Sequence, residues 1–364
     1  MDKGPQVFLH VIDTTGPGGA ETIFTQLAFE TKRTGNKTIA LIRGDGWVKS
    51  ELERLGIDLR ILDCKGSFNV KFLKQLINII RDEKVTHIQA HLLGSSVYAS
   101  IAGLVSRVPV FSTFHGFVDV SKSERFSFLK FLAIRLGSKA VVAVTDQIRN
   151  MLIQIPVMDP KKIFVIANGV DTNIFKPANE FSISPLHQPI KIGCLGNVRN
   201  AKNYPLAIQV LESLVAKGVD AELHIAGDDK NKLADECREL AVKYGVSSRL
   251  HFVGFISNAA EYLNSLDIYL LSSSSEGHPL ALTQAMACGV PVVATRCGIE
   301  HVVVDGQTAL LAENENADSV VEKLMTVIGS EELRKKMFVL APASVKNSWS
   351  LSSTLMNYLK MYNI

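Results

Sequence analysis

The segment IYLLSSSSEGHPLALTQAMACGVPVVAT, residues 268–295, contains the repeating unit from which the fold can be predicted. It begins and ends with short apolar runs, Ile268–Leu271 and Val292–Ala294, which are typical of strands buried on both faces of a parallel sheet. Between them, Pro279 suits the first position of a helix, and Gly289 suits the residue just after its end. The segment therefore predicts a strand, a loop, a helix and a second strand, which is the unit of doubly wound α/β proteins.

The same alternation of strands and helices extends over the rest of the chain. Further strands are expected at Val7–Ile12, Thr38–Ile42, His87–Ala90, Val110–Thr113, Ala140–Val144, Ile163–Ile166, Ile190–Leu195, Glu222–Ala226 and Leu250–Val253. We expect an α/β protein with two doubly wound Rossmann-like domains that face a central cleft. The first domain would span residues 1–177 and the second residues 190–345, joined by a linker at 178–189. A C-terminal helix at about 346–364 is expected to pack back onto the first domain.

Composition and charge exclude several classes of protein. The chain has 364 residues, of which 47% are hydrophobic and 21% charged, so it is neither disordered nor fibrous. A net charge of +3 lacks the basic excess of a nucleic-acid-binding protein, and no nucleic-acid partner is expected. No uncharged apolar run approaches the ~20 residues of a membrane span. The five cysteines form no C-x-x-C pair, so we expect buried free thiols, no metal site and a cytoplasmic location.

A glycine-rich loop, Gly16-Pro17-Gly18-Gly19, follows the first strand and leads directly into a helix. Glycines allow a ligand to approach the backbone closely, and a helix N-terminus offers free N–H groups to an anion. The spacing does not match G-x-G-x-x-G, because Glu21 stands at the position of the third glycine. NAD is therefore not expected, and Gly18 and Gly19 suit either a plain tight turn or an anion site.

In the second half, the loop Ser272–Pro279 leads into a helix whose first amides can bind a diphosphate without a metal. These amides belong to Gly277, His278 and Leu280. Glu276 precedes the helix, and Gln284 lies five residues beyond Pro279, about 7.5 Å along the axis. This offset suits the distance from a diphosphate to its ribose. The alternative is a capping glutamate and a surface glutamine.

Two basic side chains follow another strand of the second half. Arg199 and Lys202 come after Ile190–Leu195 and are three residues apart, so they can neutralise a diphosphate from the opposite side. Alone, the two side chains would suit solvated surface charge. Together with the helix N-terminus described above, they predict a site for a nucleotide sugar.

An ordered set of motifs resembles the family 4-type retaining glycosyltransferases of the GT-B fold, over nearly the whole chain. The motifs are Gly18-Gly19-Ala20-Glu21, His115-Gly116, Ile166–Asp171, Phe175-Lys176-Pro177, Arg199 with Lys202, Ile225–Asp228, Phe252-Val253-Gly254 and Ser275–Thr295. The resemblance implies an acceptor-binding first domain and a donor-binding second domain. It also implies a metal-independent reaction that uses a UDP- or GDP-linked sugar as co-substrate and no other cofactor.

The resemblance further assigns roles to the matching residues. Glu276 would hold hydroxyls of the donor sugar and His115 would lie beside that sugar, so both are candidate catalytic residues. Arg199 and Lys202 would stabilise the departing diphosphate. The other donor-binding residues would be Gly18, Gly19, Ile256, Gly277, His278, Pro279, Leu280 and Gln284.

Two positions depart from the pattern of this family. The usual pair is Glu, seven residues, Glu, whereas the second position here is Gln284. A glutamine keeps a hydrogen bond to a ribose and loses the charge-assisted bidentate contact. Asn197 stands where the family commonly has arginine, with Arg199 two positions later. Both departures weaken the expectation of tight donor binding.

The segment 121–139 combines basic residues with large apolar ones. A helix here would have a cationic side and a strongly apolar side. It suits either a core-packed helix with a solvated face, or a helix that adsorbs to anionic lipid at the inner face of the cell membrane.

The function predicted is transfer of a hexosyl or N-acetylhexosaminyl group to a sugar or lipid-linked saccharide acceptor, with retention of anomeric configuration. By resemblance, the product would be a cell-surface polysaccharide, a lipopolysaccharide or a glycolipid. A nucleotide-sugar epimerase of the same fold is one alternative, and it would need additional acids and histidines in the cleft. A non-catalytic nucleotide-sugar-binding protein is another, suggested by Gln284.

Overall fold

The structure, a computed structural model, describes residues 6–63, 68–120, 126–178 and 186–363. The chain forms two compact units, Met1–Asn168 with Ser352–Ile364, and Gly169–Leu351. The first unit thus ends at Asn168, whereas the sequence placed a boundary after Pro177. Residues 179–185 of the expected linker lie outside the described residues.

The first unit is built on a seven-stranded parallel sheet of order β3-β2-β1-β4-β5-β6-β7. Its strands are β1 (Val7–Ile12), β2 (Lys37–Ile42), β3 (Asp58–Ile61), β4 (His87–His91), β5 (Val110–Phe114), β6 (Ser138–Ala143) and β7 (Ile163–Val165). Its helices are α1 (Gly19–Arg33), α2 (Trp47–Arg54), α3 (Val70–Asp82), α4 (Leu93–Ser106), α5 (Ser127–Gly137) and α6 (Asp146–Ile153).

The second unit is built on a six-stranded parallel sheet of order β10-β9-β8-β11-β12-β13. Its strands are β8 (Ile190–Leu195), β9 (Ala221–Ala226), β10 (Leu250–Gly254), β11 (Ile268–Leu271), β12 (Val292–Thr295) and β13 (Leu310–Ala312). Its helices are α7 (Tyr204–Ala216), α8 (Lys232–Lys243), α9 (Ala259–Asn264), α10 (Leu280–Ala287), α11 (Ala317–Gly329) and α12 (Glu331–Ser348). The predicted α/β fold with two Rossmann-like sheets is confirmed.

The central strands explain why apolar runs predicted the fold. Every residue of β5, β11 and β12 is buried. Such a strand needs apolar side chains on both faces, because helices cover both sides of a parallel sheet.

The last helix, α13 (Leu351–Tyr362), packs on the first unit. Tyr358 and Tyr362 are buried against strand residues such as Phe111. The hydroxyl of Tyr362 donates a hydrogen bond to Oε1 of Gln89 at 3.0 Å. The first unit therefore takes part of its core from the far end of the chain.

Each sheet has one point at which the strand order reverses. In the first sheet it lies between β1 and β4, and in the second between β8 and β11. Ligands of such sheets bind beyond the carboxyl ends of the strands at these switch points. The glycine-rich loop follows β1, and the loops with the basic and acidic candidate residues follow β8 and β11. The fold therefore brings the predicted motifs of each unit to its switch point.

Candidate functional site

The loops after β8 and β9 meet through two glycines of the second unit. Gly196 and Gly227 have φ values of +153° and +145°, which favour glycine over other residues. A Cβ added at Gly227 would overlap the carbonyl of Gly196. The side chain of Asn197 also joins the loops, because its Oδ1 accepts from the amide of Asp228 at 3.0 Å. Asn197 is therefore a structural residue of this loop.

An ion pair connects the loops at the second switch point. Nζ of Lys202 lies 2.7 Å from Oε1 of Glu276, and both side chains are mostly buried, at 19% and 15% exposure. The hydroxyl of Ser273 donates to the same carboxylate oxygen at 2.7 Å. The hydroxyl of Ser272 donates to the carbonyl of Lys202 at 2.9 Å, which fixes the two loops to each other. The structure thus brings together two residues that the sequence separates by 74 positions.

Arg199 and Gln284 do not join this ion pair. Arg199 is exposed and stands just before a 3-10 helix, Asn200–Lys202. Gln284 is half-buried on α10. Within the described parts of the chain, neither side chain forms a hydrogen bond to Lys202 or Glu276. Their predicted donor contacts stay predictions.

The N-terminus of α10 differs in one detail from the sequence prediction. Pro279 has an extended conformation and caps the helix, so the first helical residue is Leu280 and the expected first position was wrong by one. Gly277 and His278 precede the cap. The ring of His278 is buried and lies 4.8 Å from the ring of Trp349, so this side chain packs against its own unit.

Ile256, the expected nucleobase contact, follows β10 and is half-buried. Its side chain packs against the hydrophobic core of the second unit. The structure therefore shows a packing role for the side chain, and a role of its backbone toward a base stays a prediction.

The glycine-rich loop at the first switch point carries an acid that the sequence reading did not use. Gly18 caps α1, and Gly19 is its first residue. A Cβ at Gly18 would overlap the carboxylate of Glu21, a buried residue of the same helix. The carboxylate therefore lies beside the amides that were expected to bind phosphate.

His115 lies just after β5 and pairs with His91 at the end of β4. Nε2 of His115 is 2.9 Å from Nδ1 of His91, and the two rings stack 5.1 Å apart. Burial lowers the pKa of His115 to about 3 and holds that of His91 well below its usual value. Both imidazoles are therefore neutral at pH 7, and one ring donates to the other.

Asp119 closes the turn that follows His115. Its Oδ2 accepts from the amides of His115 and Gly116, each at 3.0 Å. Burial raises the pKa of Asp119 to about 6, and the carboxylates of Asp13 and Glu21 raise it further, whereas the two amide bonds oppose the shift. Sequence reasoning did not name Asp119, and it gave His91 no role because a cleft-facing and a structural histidine were equally plausible there. The only available signal was that Asp119 and His91 each stand at or just beyond a strand end.

The four cysteines that the structure describes are poor candidates for a nucleophile. The four described cysteines are buried and free, as predicted. Burial raises the pKa to about 12 for Cys194, Cys288 and Cys297, and to about 11 for Cys237. Cys64 lies outside the described residues.

Among the described residues, one group of three could hold a metal ion, and it lies on β9 and β10 away from the loops above. Oε2 of Glu222 is 3.1 Å from Nε2 of His224 and 3.4 Å from Nε2 of His251. Nothing in the predicted chemistry uses this group.

Two family models together match most of the chain. "Glycosyltransferase Family 4" matches residues 17–174 and "Glycosyl transferases group 1" matches residues 176–338. The chain belongs to the family 4-type glycosyltransferases of the GT-B fold. It is a glycosyltransferase of glycan or related biosynthesis, as the motifs predicted.

The individual proteins to which the chain is similar share less than a third of its residues. N-acetyl-alpha-D-glucosaminyl L-malate synthase of Bacillus anthracis is 29% identical over 70% of this chain and 68% of its own length. UDP-Gal:alpha-D-GlcNAc-diphosphoundecaprenol alpha-1,3-galactosyltransferase of Escherichia coli is 23% identical over 74% of each chain. Anabaena HepE, solved in complex with UDP-glucose, superposes with a TM-score of 0.87 at 18% identity, covering 98% of this chain and 99% of that one. This last likeness shows the fold.

No helix among the described residues is long and apolar enough to cross a membrane.

Proposed function

We propose that the chain transfers a hexosyl or N-acetylhexosaminyl group from a UDP- or GDP-linked sugar to an acceptor hydroxyl, with retention of anomeric configuration and without a metal. The observation that carries this proposal is the ion pair between Lys202 and Glu276 at the second switch point. One group supplies a cation for a diphosphate, and the other supplies a carboxylate for sugar hydroxyls. The relative solved with UDP-glucose has the same fold.

The ion pair suggests how a donor would bind. A diphosphate competes with the carboxylate of Glu276 for the ammonium of Lys202, and hydroxyls of the sugar replace that ammonium on the carboxylate. Both exchanges preserve charge-assisted hydrogen bonds in a partly buried site. During transfer, negative charge grows on the departing diphosphate, so Lys202 and Arg199 would stabilise the transition state more than the ground state.

His115 would act as a neutral group beside the sugar. Its low pKa means that the ring brings no charge, and the side chain of Asn168 lies within reach of the ring. A hydroxyl of the sugar or of the acceptor would compete with Asn168 for this ring. The raised cysteine pKa values agree with a transfer that uses no thiolate nucleophile.

We also propose that α5 adsorbs to anionic lipid at the inner face of the cell membrane, which would bring the enzyme to a lipid-linked acceptor. Large apolar side chains of α5 and its cap are exposed, at 57% for Phe128, 59% for Leu129 and 58% for Leu136. Lys130 and Arg135 on the same helix supply positive charge. Residues 121–125 of the expected segment lie outside the described residues.

A nucleotide-sugar epimerase is the second candidate function. An epimerase would need additional acids and histidines for proton removal, and the sequence motifs alone did not supply them. The group formed by His91, His115, Asp119, Asp13 and Glu21 at the first switch point now favours it. The family models favour transfer.

One experiment separates the candidates. The purified protein, treated with EDTA, is screened by thermal shift against UDP- and GDP-linked sugars, since a ligand at 100 times its Kd adds about 2.7 kcal/mol of stability. The best donor is then incubated, radiolabelled, with a membrane lipid extract. We expect a labelled lipid product whose new linkage, read by NMR, keeps the donor's anomeric configuration. An epimerised donor would indicate the second candidate, an inverted product would refute retention, and binding without either product would indicate a non-catalytic protein.

A further inference from the structure

Three side chains that can bind a metal ion lie together on one face of the second sheet. Glu222 and His224 are two residues apart on β9, so their side chains point to the same face. His251, on the edge strand β10, pairs directly with His224 in the parallel register. The intervening Leu223 is buried in the hydrophobic core on the opposite face. The sheet register therefore brings one carboxylate and two imidazoles together.

The distances between the ligating atoms fit a tetrahedral metal site. Oε2 of Glu222 lies 3.1 Å from Nε2 of His224 and 3.4 Å from Nε2 of His251. Zinc bonds of about 2.0–2.2 Å to nitrogen and oxygen place two ligands of a tetrahedron about 3.3 Å apart. The two ring nitrogens lie within 4.8 Å of each other, so rotation of one ring would close the third edge. Two of the three edges thus already have the length that a zinc ion requires.

The imidazole of His251 gives independent support for a metal ligand. Its side chain is 41% exposed, yet its Nε2 is shielded from water and forms no hydrogen bond within the described residues. The ring therefore turns this nitrogen toward the carboxylate of Glu222, although their approach lacks the geometry of a hydrogen bond. A polar atom that is kept from water without a partner is costly. A metal ion would accept its lone pair and remove that cost.

The chemistry of the group favours zinc over the alkaline-earth ions. Two imidazoles with one carboxylate form a ligand set that zinc binds well, whereas Mg²⁺ and Ca²⁺ prefer oxygen ligands. Lys191, the neighbour of Glu222 on β8, is a cation on the adjacent strand. Its Nζ donates to the hydroxyl of Ser265 at 3.1 Å, so the ammonium is held by a partner outside the group. The carboxylate is thus left to attract a divalent cation.

We propose that Glu222, His224 and His251 bind one Zn²⁺ ion, with water as the fourth ligand. The ion would join the edge strand β10 to β9, and so fix the strand that leads to Ile256. The site lies within the strands and not in the loops at the switch point. The inference therefore does not rest on the proposed transferase function, and it gives the ion no part in sugar transfer.

The test is a zinc titration of the full chain, prepared without a histidine tag and freed of metal with EDTA that is then removed. Competition with a chromogenic chelator measures the affinity, and a large excess of Mg²⁺ should not displace the zinc. His251→Gln removes the nitrogen that has no hydrogen-bond partner, so the fold should persist while zinc binding weakens at least about tenfold. Equal affinity in the parent and in His251→Gln would overturn the proposal.

A second pair of histidine and carboxylate provides the matched control. Nδ1 of His187 lies 2.8 Å from Oδ1 of Asp267, and the described residues place no third metal-binding side chain beside them. His187→Gln should therefore keep the zinc affinity within about twofold of the parent, whereas His224→Gln should weaken it as much as His251→Gln does. A loss in His187→Gln equal to that in His251→Gln would indicate non-specific binding by imidazoles and overturn the proposal.

Two further measurements read the geometry of the site and its effect on the edge strand. Co²⁺ absorbs visible light strongly in a four-coordinate site and weakly in a six-coordinate one, so we expect strong absorption in the parent and not in His251→Gln. Hydrogen exchange of the amides of Leu250–Phe252 should slow when Zn²⁺ binds to the parent. A weak six-coordinate spectrum in the parent would refute the tetrahedral site, and unchanged exchange would refute its role in holding β10.

Discussion

The two switch points share one topology and differ in their electrostatics. At the second, Lys202 and Glu276 form a charged pair beside exposed Arg199, which suits a charged ligand. At the first, His91 and His115 are neutral and an apolar cavity lies nearby. The two switch points therefore differ in the chemistry that they offer to a ligand, and our proposal gives them different parts of the reaction. The predictions below test this division, from the largest expected effect to the smallest.

Replacing Lys202, the cation at the second switch point, should give the largest loss of transfer rate. Lys202→Ala removes one electrostatic contact to the leaving diphosphate, which typically costs about 10²–10³ in rate. The measurement is kcat for transfer from the best donor. Lys217→Ala, at an exposed residue just after α7, is the control and should keep the parent rate. A rate within threefold of the parent in Lys202→Ala would remove this residue from the site.

The second prediction concerns the ribose. Gln284→Ala should weaken binding of the donor's nucleoside diphosphate by up to about 100-fold, since unpaired hydroxyls in a partly desolvated site cost about 1–3 kcal/mol. Gln284→Glu should preserve or improve affinity, because a carboxylate accepts both hydroxyl hydrogens. Calorimetric titration measures both, with Gln307→Ala at an exposed site as control. Parent-like affinity in Gln284→Ala would make this residue structural.

The third prediction concerns the surface of α5. Lys130→Glu with Arg135→Glu should weaken binding to anionic vesicles by more than about 30-fold, because each basic residue near such a surface contributes about 1 kcal/mol. Co-sedimentation with phosphatidylglycerol vesicles at two salt concentrations measures it. Lys71→Glu with Lys74→Glu, at exposed residues of α3, is the matched control. If the parent shows no salt-sensitive binding, the membrane proposal is wrong.

The smallest expected effect is the change of folding stability with pH that the buried, neutral histidines cause. Burial lowers the pKa of His10 to about 3, so between pH 6.5 and 3 the unfolded chain binds a proton that the folded chain does not. Stability should therefore fall with pH below 6.5, by about 1.4 kcal/mol per pH unit for each such histidine. Asp119, whose folded pKa is raised to about 6, acts in the opposite direction as the pH falls from 6 to 4. Asp119 therefore offsets the loss of stability caused by about one of the three buried histidines, which are His10, His91 and His115.

The measurement is urea unfolding between pH 7 and 5, followed by the fluorescence of Trp47 in a Trp349→Phe background, because these are the two tryptophans and lie in different units. His10→Gln should reduce the slope of the unfolding free energy against pH by about 1.4 kcal/mol per pH unit. An unchanged slope would mean that His10 titrates normally in the folded protein.

Sequence patterns predicted eleven of the thirteen strands. Strands β3 and β13 were not expected. Strand β3 is an edge strand whose residues are all exposed or half-buried, so its sequence DLRI carries no continuous apolar run. Strand β13 is buried and has only three residues, LLA, so no long apolar run marks it in the sequence.

The candidate site was predictable where a motif carries the chemistry. Lys202 and Glu276 were selected from local spacing, and the sheet order that places β8 beside β11 makes them neighbours. Asp119 belongs to no motif. Its role depends on burial and on neighbours from other segments, which only the folded chain supplies.

The position of α13 has a consequence for biosynthesis. The first unit is complete only when residues from Ser352 onward join it, and 184 positions separate Asn168 from Ser352. At ribosomal speeds of about 5–20 residues per second, the nascent first unit waits about 10–40 s for its last helix. During that time, the surface that Tyr358 and Tyr362 later cover is open to water and to chaperones. A stop codon before Ser352 should therefore damage the unit that was synthesised first.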